Sequence, residues 1–388
     1  MNRWNKICVL LAIAVSVGAR AQAPSVAARL QPFVESHSLA GAVTAVATAE
    51  KVISLEAVGY SDIAAGESMK TDAVFWIASM SKPMTATALM MLVEEGKVNV
   101  NDPVEKYLPE YRGQWLIAEQ SNGQMVLKKP AHPITVKNVL THTSGLPHLS
   151  RIEHLIDTYP LREAAISYGM SPLQSEPDTK YAYCNAGINT VGRIIEVVSG
   201  KPYEQFMEER LLKPLGMKDT TLWPTGEQMN RLAKSYRPTK DKAALQELNI
   251  DQLTYPLQNR SRGASPAGGY FSTAADMAIF GQMILRGGEL GGKRYLSEQS
   301  VKQMTSAQTG DVAVNPNNKD AAYGFGWSTS HTPDAPFGHG GAYATNLSID
   351  PKRGIVTVFM VQHAGFGGTD GGKILPTFMK TAAELSGK

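Results

Sequence analysis

The chain has 388 residues, 43% hydrophobic and 19% charged, with 38 Lys and Arg against 35 Asp and Glu for a formal net charge of +3. That is enough chain and apolar content for one or two domains with a full core. The near-balance of charge, with no run of five like charges, excludes an electrostatic nucleic-acid surface, and the two cysteines, Cys8 and Cys184, exclude a disulfide framework.

In chain order, the first feature is a leader. Asn2, Arg3 and Lys6 form a basic start, Ile7 to Gly18 a short apolar run, and Ala19-Arg20-Ala21 a small-residue cleavage site. The expectation is a signal peptide over residues 1–21, cleavage near Ala21, and a periplasmic or extracellular protein of residues 22–388 with charge near zero and Cys184 as its one thiol. No later segment approaches the roughly 18 apolar residues a stable membrane span needs.

A helix is predicted at Ser25 to Ser36, followed by a hairpin whose Val- and Ala-rich arms run from Ala40 to Ala49 and from Lys51 to Gly59. Val74 to Ile77 leads into a helix that carries Ser79-Met-Ser-Lys82 at its start and ends near Gly96; Asn101-Asp102-Pro103 signals a turn and a new helix start. Asn122-Gly123 sits between the apolar-containing arms of a second hairpin, Trp115 to Lys129, read as a surface insertion. Helical patterns follow at Ile134 to Leu140, Ala186 to Ser199, Tyr203 to Leu212 and Thr273 to Leu285, then a Gly287-Gly288 turn. Strands are predicted at Gly324 to Ser328, Ala344 to Ile349 and Ile355 to Val361, and a last amphipathic helix at Ile374 to Leu385. Strands near both ends with helices between them predict a mixed α/β fold. Its antiparallel sheet is built from residues 22–104 and 266–388, with a mainly helical subdomain over 105–265 inserted.

Three short motifs carry chemistry. Ser79 and Lys82 lie one helical turn apart, within mutual reach, and a neighbouring amine kept neutral by burial can take a serine's proton. The alternative is an ordinary helix start, with Ser79 or Ser81 as N-cap and Lys82 solvated. Tyr183-Cys-Asn185 precedes a helix: a phenol near cationic amines is more easily deprotonated and would serve Ser79 as base and then as acid, while Asn185 offers a carbonyl to a lysine. The alternative is that Tyr183 packs in the core and Asn185 caps the helix. His339-Gly340-Gly341-Ala342 precedes a strand, where glycines let a ligand approach; His339 would donate or share a proton, and the Ala342 N–H would join that of Ser79 in an oxyanion hole. Its plain reading is a bend with a satisfied histidine. No metal-type spacing of Cys or His is present.

In this order and at these separations, the three motifs resemble the active-site elements of the serine β-lactamase and penicillin-binding-protein superfamily, on the branch of class C β-lactamases, D-alanyl-D-alanine carboxypeptidases and related esterases. His142-Thr-Ser-Gly145-Leu-Pro147, Pro266-Ala-Gly-Gly269 with Ser272-Thr-Ala-Ala-Asp276, and Tyr323-Gly-Phe-Gly-Trp327 resemble the same family, which extends the likeness over the whole mature chain. The resemblance implies a β-lactamase/transpeptidase-like fold and a secreted serine hydrolase that needs no cofactor. Ser79 would be acylated, Lys82 would be its proton partner, Tyr183 the acid/base and Asn185 an orienting group. His339 stands where the family often has lysine, which favours an esterase- or D-amino-acid-peptidase-like activity on a small-molecule or peptide ester or amide over a β-lactamase; oligomeric state is left open. A non-catalytic penicillin- or peptidoglycan-sensing module is the reading from another class. His142, His148 and His363 are expected to be structural or at most at the rim.

Overall fold

The computed structural model describes residues 25–387, so the predicted leader lies outside the described residues. Its centre is an antiparallel sheet of eight strands. Their order is Ala321–Tyr323, Ser328–Ser330, Phe337–Gly340, Asn346–Asp350, Ile355–Met360, Gly41–Thr48, Val52–Asp62 and Glu67–Ser68. Strands from the two ends of the chain meet where Val43 faces Met360 and Thr48 faces Ile355. No strand of this sheet comes from residues 105–265, as expected for a sheet closed by both ends.

Both faces of the sheet are covered, and strand periodicity sorts the side chains. Val43, Ala45, Ala47, Val356, Val358 and Met360 point into the larger core, with Met277, Phe280 and Ile284 of the helix Ala274–Leu285. Ala42, Val46, Phe359 and Val361 point the other way. There they meet Val26, Leu30 and Val34 of the helix Val26–Glu35 and Ile374, Phe378 and Ala382 of the helix Ile374–Leu385. Burial on both sides is why these strands read as continuous apolar runs.

The helix Ser81–Glu94 is different in kind. It is buried from Ser81 to Leu92 on every side, so its residues show almost no amphipathic bias, the mark of a helix enclosed by the rest of the protein. Its first turn therefore starts inside the molecule, between the sheet and the middle region. That region supplies the helices Val136–Thr141, Leu161–Met170 and Asn185–Ser199. The hairpin Leu116–Ser121/Gln124–Lys128 turns at Asn122 and Gly123, both at positive φ, as the Asn-Gly pair predicted.

One expectation needs correction. The Gly324-to-Ser328 stretch is a bend: Gly324 N donates to Trp327 O, and strands flank it at Ala321–Tyr323 and Ser328–Ser330. Its buried Phe325 and Trp327 are core fillers of a turn, which apolar content alone does not separate from a strand. The His339 segment is the strand Phe337–Gly340, with His339 opposite Leu347, and the chain turns directly after it. No helix among the described residues is long and apolar enough to cross a membrane.

Candidate active site

Ser79 is held by the chain on either side of it. Phe75–Trp76 pairs with Phe271–Ser272, Ile77 N donates to Tyr270 O (3.0 Å), and the Trp76 indole donates to Gly268 O (2.7 Å). The backbone then passes through Ala78 at φ +44°, a left-handed conformation that costs an alanine roughly 1–2 kcal/mol. One 3₁₀ turn, Ala78–Met80, delivers the half-buried Ser79 to the head of the buried helix.

Lys82 is fully buried there, not solvated. Its Nζ lies 2.9 Å from Ser79 Oγ, 2.9 Å from Asn185 Oδ1 and 2.8 Å from Ala267 O. Burial disfavours the ammonium and brings Lys82 from lysine's ordinary 10.5 down to about 7. A neutral amine has two N–H donors and one lone pair. Ala267 O can only accept and Asn185 presents its carbonyl oxygen, so both protons are committed and the lone pair faces the Ser79 hydroxyl.

Tyr183 and Asn185 arrive from the other side. The Tyr183 hydroxyl is directed toward Ser79, and Lys82 Nζ is 4.7 Å from the phenol ring centre. The expectation that amines would ease deprotonation of this phenol is reversed. Burial around the hydroxyl pushes it above the ordinary tyrosine range, because its neighbouring lysine is itself nearly neutral and offers little compensating charge. Asn185 opens the helix Asn185–Ser199 without capping it; its carbonyl goes to Lys82.

His339 stands apart from this set in role. Its Nδ1 lies 2.7 Å from Gly340 O, which can only accept, so Nδ1 carries the proton; its Nε2 accepts from the Tyr323 hydroxyl at 2.9 Å. Both ring nitrogens are occupied by protein, and burial, helped by Lys82, lowers His339 to about 3. The partly charged, proton-sharing histidine of the sequence reading is thus a neutral strut at neutral pH. The residues beyond it do approach Ser79: Gly341 N donates to Thr345 O, and Thr345 Oγ1 donates to Ile77 O at 3.3 Å. Gly340 and Ala342 are exposed, and among the described residues the Ala342 N–H has no acceptor. Ser79 N–H is a second free donor, since the first bond of the 3₁₀ turn starts at Met80 N.

Gly341 makes this seat possible. A Cβ there would lie 2.1 Å from Thr345 Oγ1 and 2.6 Å from Ile77 O. Gly341→Ala is expected to push the loop off Ile77, lowering stability by about 1–3 kcal/mol in a urea titration and kcat/KM at least about tenfold. A variant with unchanged turnover would show that the loop's seat on Ile77 is irrelevant to the site.

Residues outside the predicted motifs complete the surroundings. The Ala267 carbonyl holds Lys82, and His142, predicted to be structural, is buried with its ring centre 4.5 Å from that of Tyr183 and 4.8 Å from that of Tyr323. Tyr181 closes the same aromatic wall, 5.8 Å from Tyr323. The exposed His148 reaches Asn185 Nδ2 at 3.4 Å. Their only sequence signal is that Ala267, Tyr323 and His142 lie in the family-like stretches; Tyr181 and His148 lie beside such stretches. No cluster of metal-binding side chains occurs among the described residues.

Comparison with known proteins places this geometry in a family. Residues 26–374 match the Beta-lactamase family model. Protein Rv1367c of Mycobacterium tuberculosis is 30% identical over 362 residues, 87% of this chain and 89% of that protein. The D-alanyl-D-alanine-carboxypeptidase/endopeptidase AmpH of Escherichia coli is 29% identical over 295 residues, 73% of this chain and 69% of its own length. Among solved structures, EstCE1, a hydrolase with promiscuous acyltransferase activity, superposes with a TM-score of 0.75 at 21% identity, over 92% of this chain and 97% of that one. The chain belongs to the Beta-lactamase family and is a serine hydrolase.

Proposed function

We propose that the protein hydrolyses an ester or amide through an acyl-enzyme on Ser79, with an esterase-like preference. The observation that carries this reading is the 2.9 Å contact between Ser79 Oγ and an amine that is fully buried and near neutrality. As Oγ attacks the substrate carbonyl, its proton passes to the Lys82 lone pair; the oxyanion is received by the N–H groups of Ser79 and Ala342. Tyr183, directed toward Ser79, passes a proton on to the leaving group and takes one back from the water that releases the acyl group. Asn185 and Ala267 O hold the Lys82 protons away from the serine. The gathering of Ser79 and Tyr183 around Lys82 speaks against a non-catalytic sensing module.

The neutral, fully bonded His339 supports the ester preference. A substrate carboxylate beside the scissile bond, as in a β-lactam, gains from a fixed cation, and the third motif supplies none. A D-amino-acid-peptidase activity is the second reading, favoured by the similarity to AmpH. Export rests on the basic and apolar opening of the sequence, and N-terminal sequencing of secreted protein tests it.

The function is tested with a fluorophosphonate probe and a panel of p-nitrophenyl esters, a chromogenic cephalosporin and D-Ala-D-Ala peptides. The probe is expected to add one adduct at Ser79, esters to turn over fastest, and Ser79→Ala to lose both labelling and turnover. Turnover undiminished in Ser79→Ala would end the proposal; cephalosporin as the fastest substrate would end the ester preference.

A further inference from the structure

Asn185 must present its carbonyl, not its amide nitrogen, to Lys82, yet the two ends of that side chain have nearly the same shape. An ammonium would select the oxygen by itself. A neutral amine does not, because it both donates and accepts, and the proposed mechanism uses the neutral amine. Something else has to set the amide's orientation in the working state.

The other end of Asn185 faces His148, with Nδ2 3.4 Å from His148 Nε2. His148 Nδ1 in turn lies 3.3 Å from the backbone carbonyl of Tyr183. That carbonyl only accepts, so Nδ1 carries the proton and the neutral ring offers Nε2 as an acceptor. An acceptor there requires Nδ2 opposite it, which turns Oδ1 toward Lys82 at 2.9 Å. The direction thus runs from the Tyr183 carbonyl through the imidazole and the amide to the amine, and closes on the segment that carries Tyr183 itself.

We infer that His148 is a positioning residue of the acylating centre: its tautomer decides which end of the Asn185 amide faces Lys82, and so keeps the amine's lone pair on Ser79. This rests on the function proposed above. Without an acceptor at His148 the amide is free to turn. Its N–H then competes with the Ser79 hydroxyl for the Lys82 lone pair, while substrate binding is untouched.

The test compares His148→Leu, which has no acceptor, with His148→Gln, whose Oε1 can reach the position of Nε2. Both are assayed with a p-nitrophenyl ester at about pH 8.5, above the ordinary histidine range. His148→Leu is expected to lower kcat about tenfold with KM within about twofold, and His148→Gln to recover most of that loss. In an Asn185→Ala background, His148→Leu should cost nothing further. An unchanged kcat in His148→Leu, a loss confined to KM, or the same loss with Asn185 already removed would overturn the inference. Fluorophosphonate labelling of Ser79 in the wild type is run alongside. Labelling without a His148 effect removes this inference and leaves the proposed function standing, and absence of labelling removes both.

Discussion

Lys82→Met is expected to lower kcat/KM for an activated ester by about a thousandfold or more while the protein stays folded, since it removes the group proposed to take the Ser79 proton. Methionine fills nearly the same buried volume. It leaves Asn185 Oδ1 and Ala267 O without their donor, at about 1–3 kcal/mol each. It also removes an amine that was itself costly to bury.

The pH dependence has a worked sign. Lys82 falls from 10.5 to about 7 on folding, so the folded state holds fewer protons than the unfolded state between those values. Stability contributed by this site therefore rises with pH across that window, and the full cost of a buried ammonium is present below about pH 7. Lys82→Met lacks that cost and should compare better with wild type at pH 6 than at pH 9 in urea titrations. Wild-type kcat/KM should climb about tenfold per pH unit up to a break near 7. Above it the profile should be flat until at least the ordinary tyrosine range near 10, because Tyr183 is pushed above that range and Cys184 is pushed up to about 11. A break below pH 5, or a descending limb between 7 and 9, would rule out the buried lysine as the base.

The motifs were legible because each pairs a nucleophile or proton carrier with a local backbone signal. A serine and a lysine one turn apart at the start of an apolar helix sit on one face of it, whatever the tertiary structure. The sheet was equally legible from the apolar runs Ala40 to Ala49 and Ile355 to Val361, and the hairpin from Asn122-Gly123. What escaped are properties made by burial. Tyr183 was read with a shift set by neighbouring charge and His339 as a partly charged, proton-sharing group, whereas desolvation dominates both. The Ala267 carbonyl was invisible as chemistry because a backbone group has no sequence signature, and His148 because its partner is 37 residues away. Phe325 and Trp327 misled for the converse reason: aromatic residues that fill the core from a turn look like a strand.

The largest expected loss of stability lies beneath the site, at Asp157. Its carboxylate meets Arg262 Nε at 2.7 Å with both side chains buried, and it also accepts from Thr254 N and Oγ1. Arg262 donates further to the carbonyls of Leu222 and Leu257. Between Leu248 and Phe271 the chain forms no helix or strand, so these bonds do for that segment what a ladder does for a sheet. The segment ends in Pro266-Ala267, whose carbonyl holds Lys82. Asp157→Ala strands a guanidinium in the interior and is expected to cost about 3–5 kcal/mol in a urea titration. Asp157→Leu combined with Arg262→Met removes both charges and should recover much of that loss, since the expense lies in the unpaired ion. Activity should not recover with it. Without the pair, the 250–265 segment loses the bonds that fix its position, Ala267 O moves relative to Lys82, and kcat should stay depressed in the double variant at full folded population. A double variant that regains both stability and turnover would show that apolar packing alone holds Ala267, and would reduce the buried pair to a stability element with no part in the site.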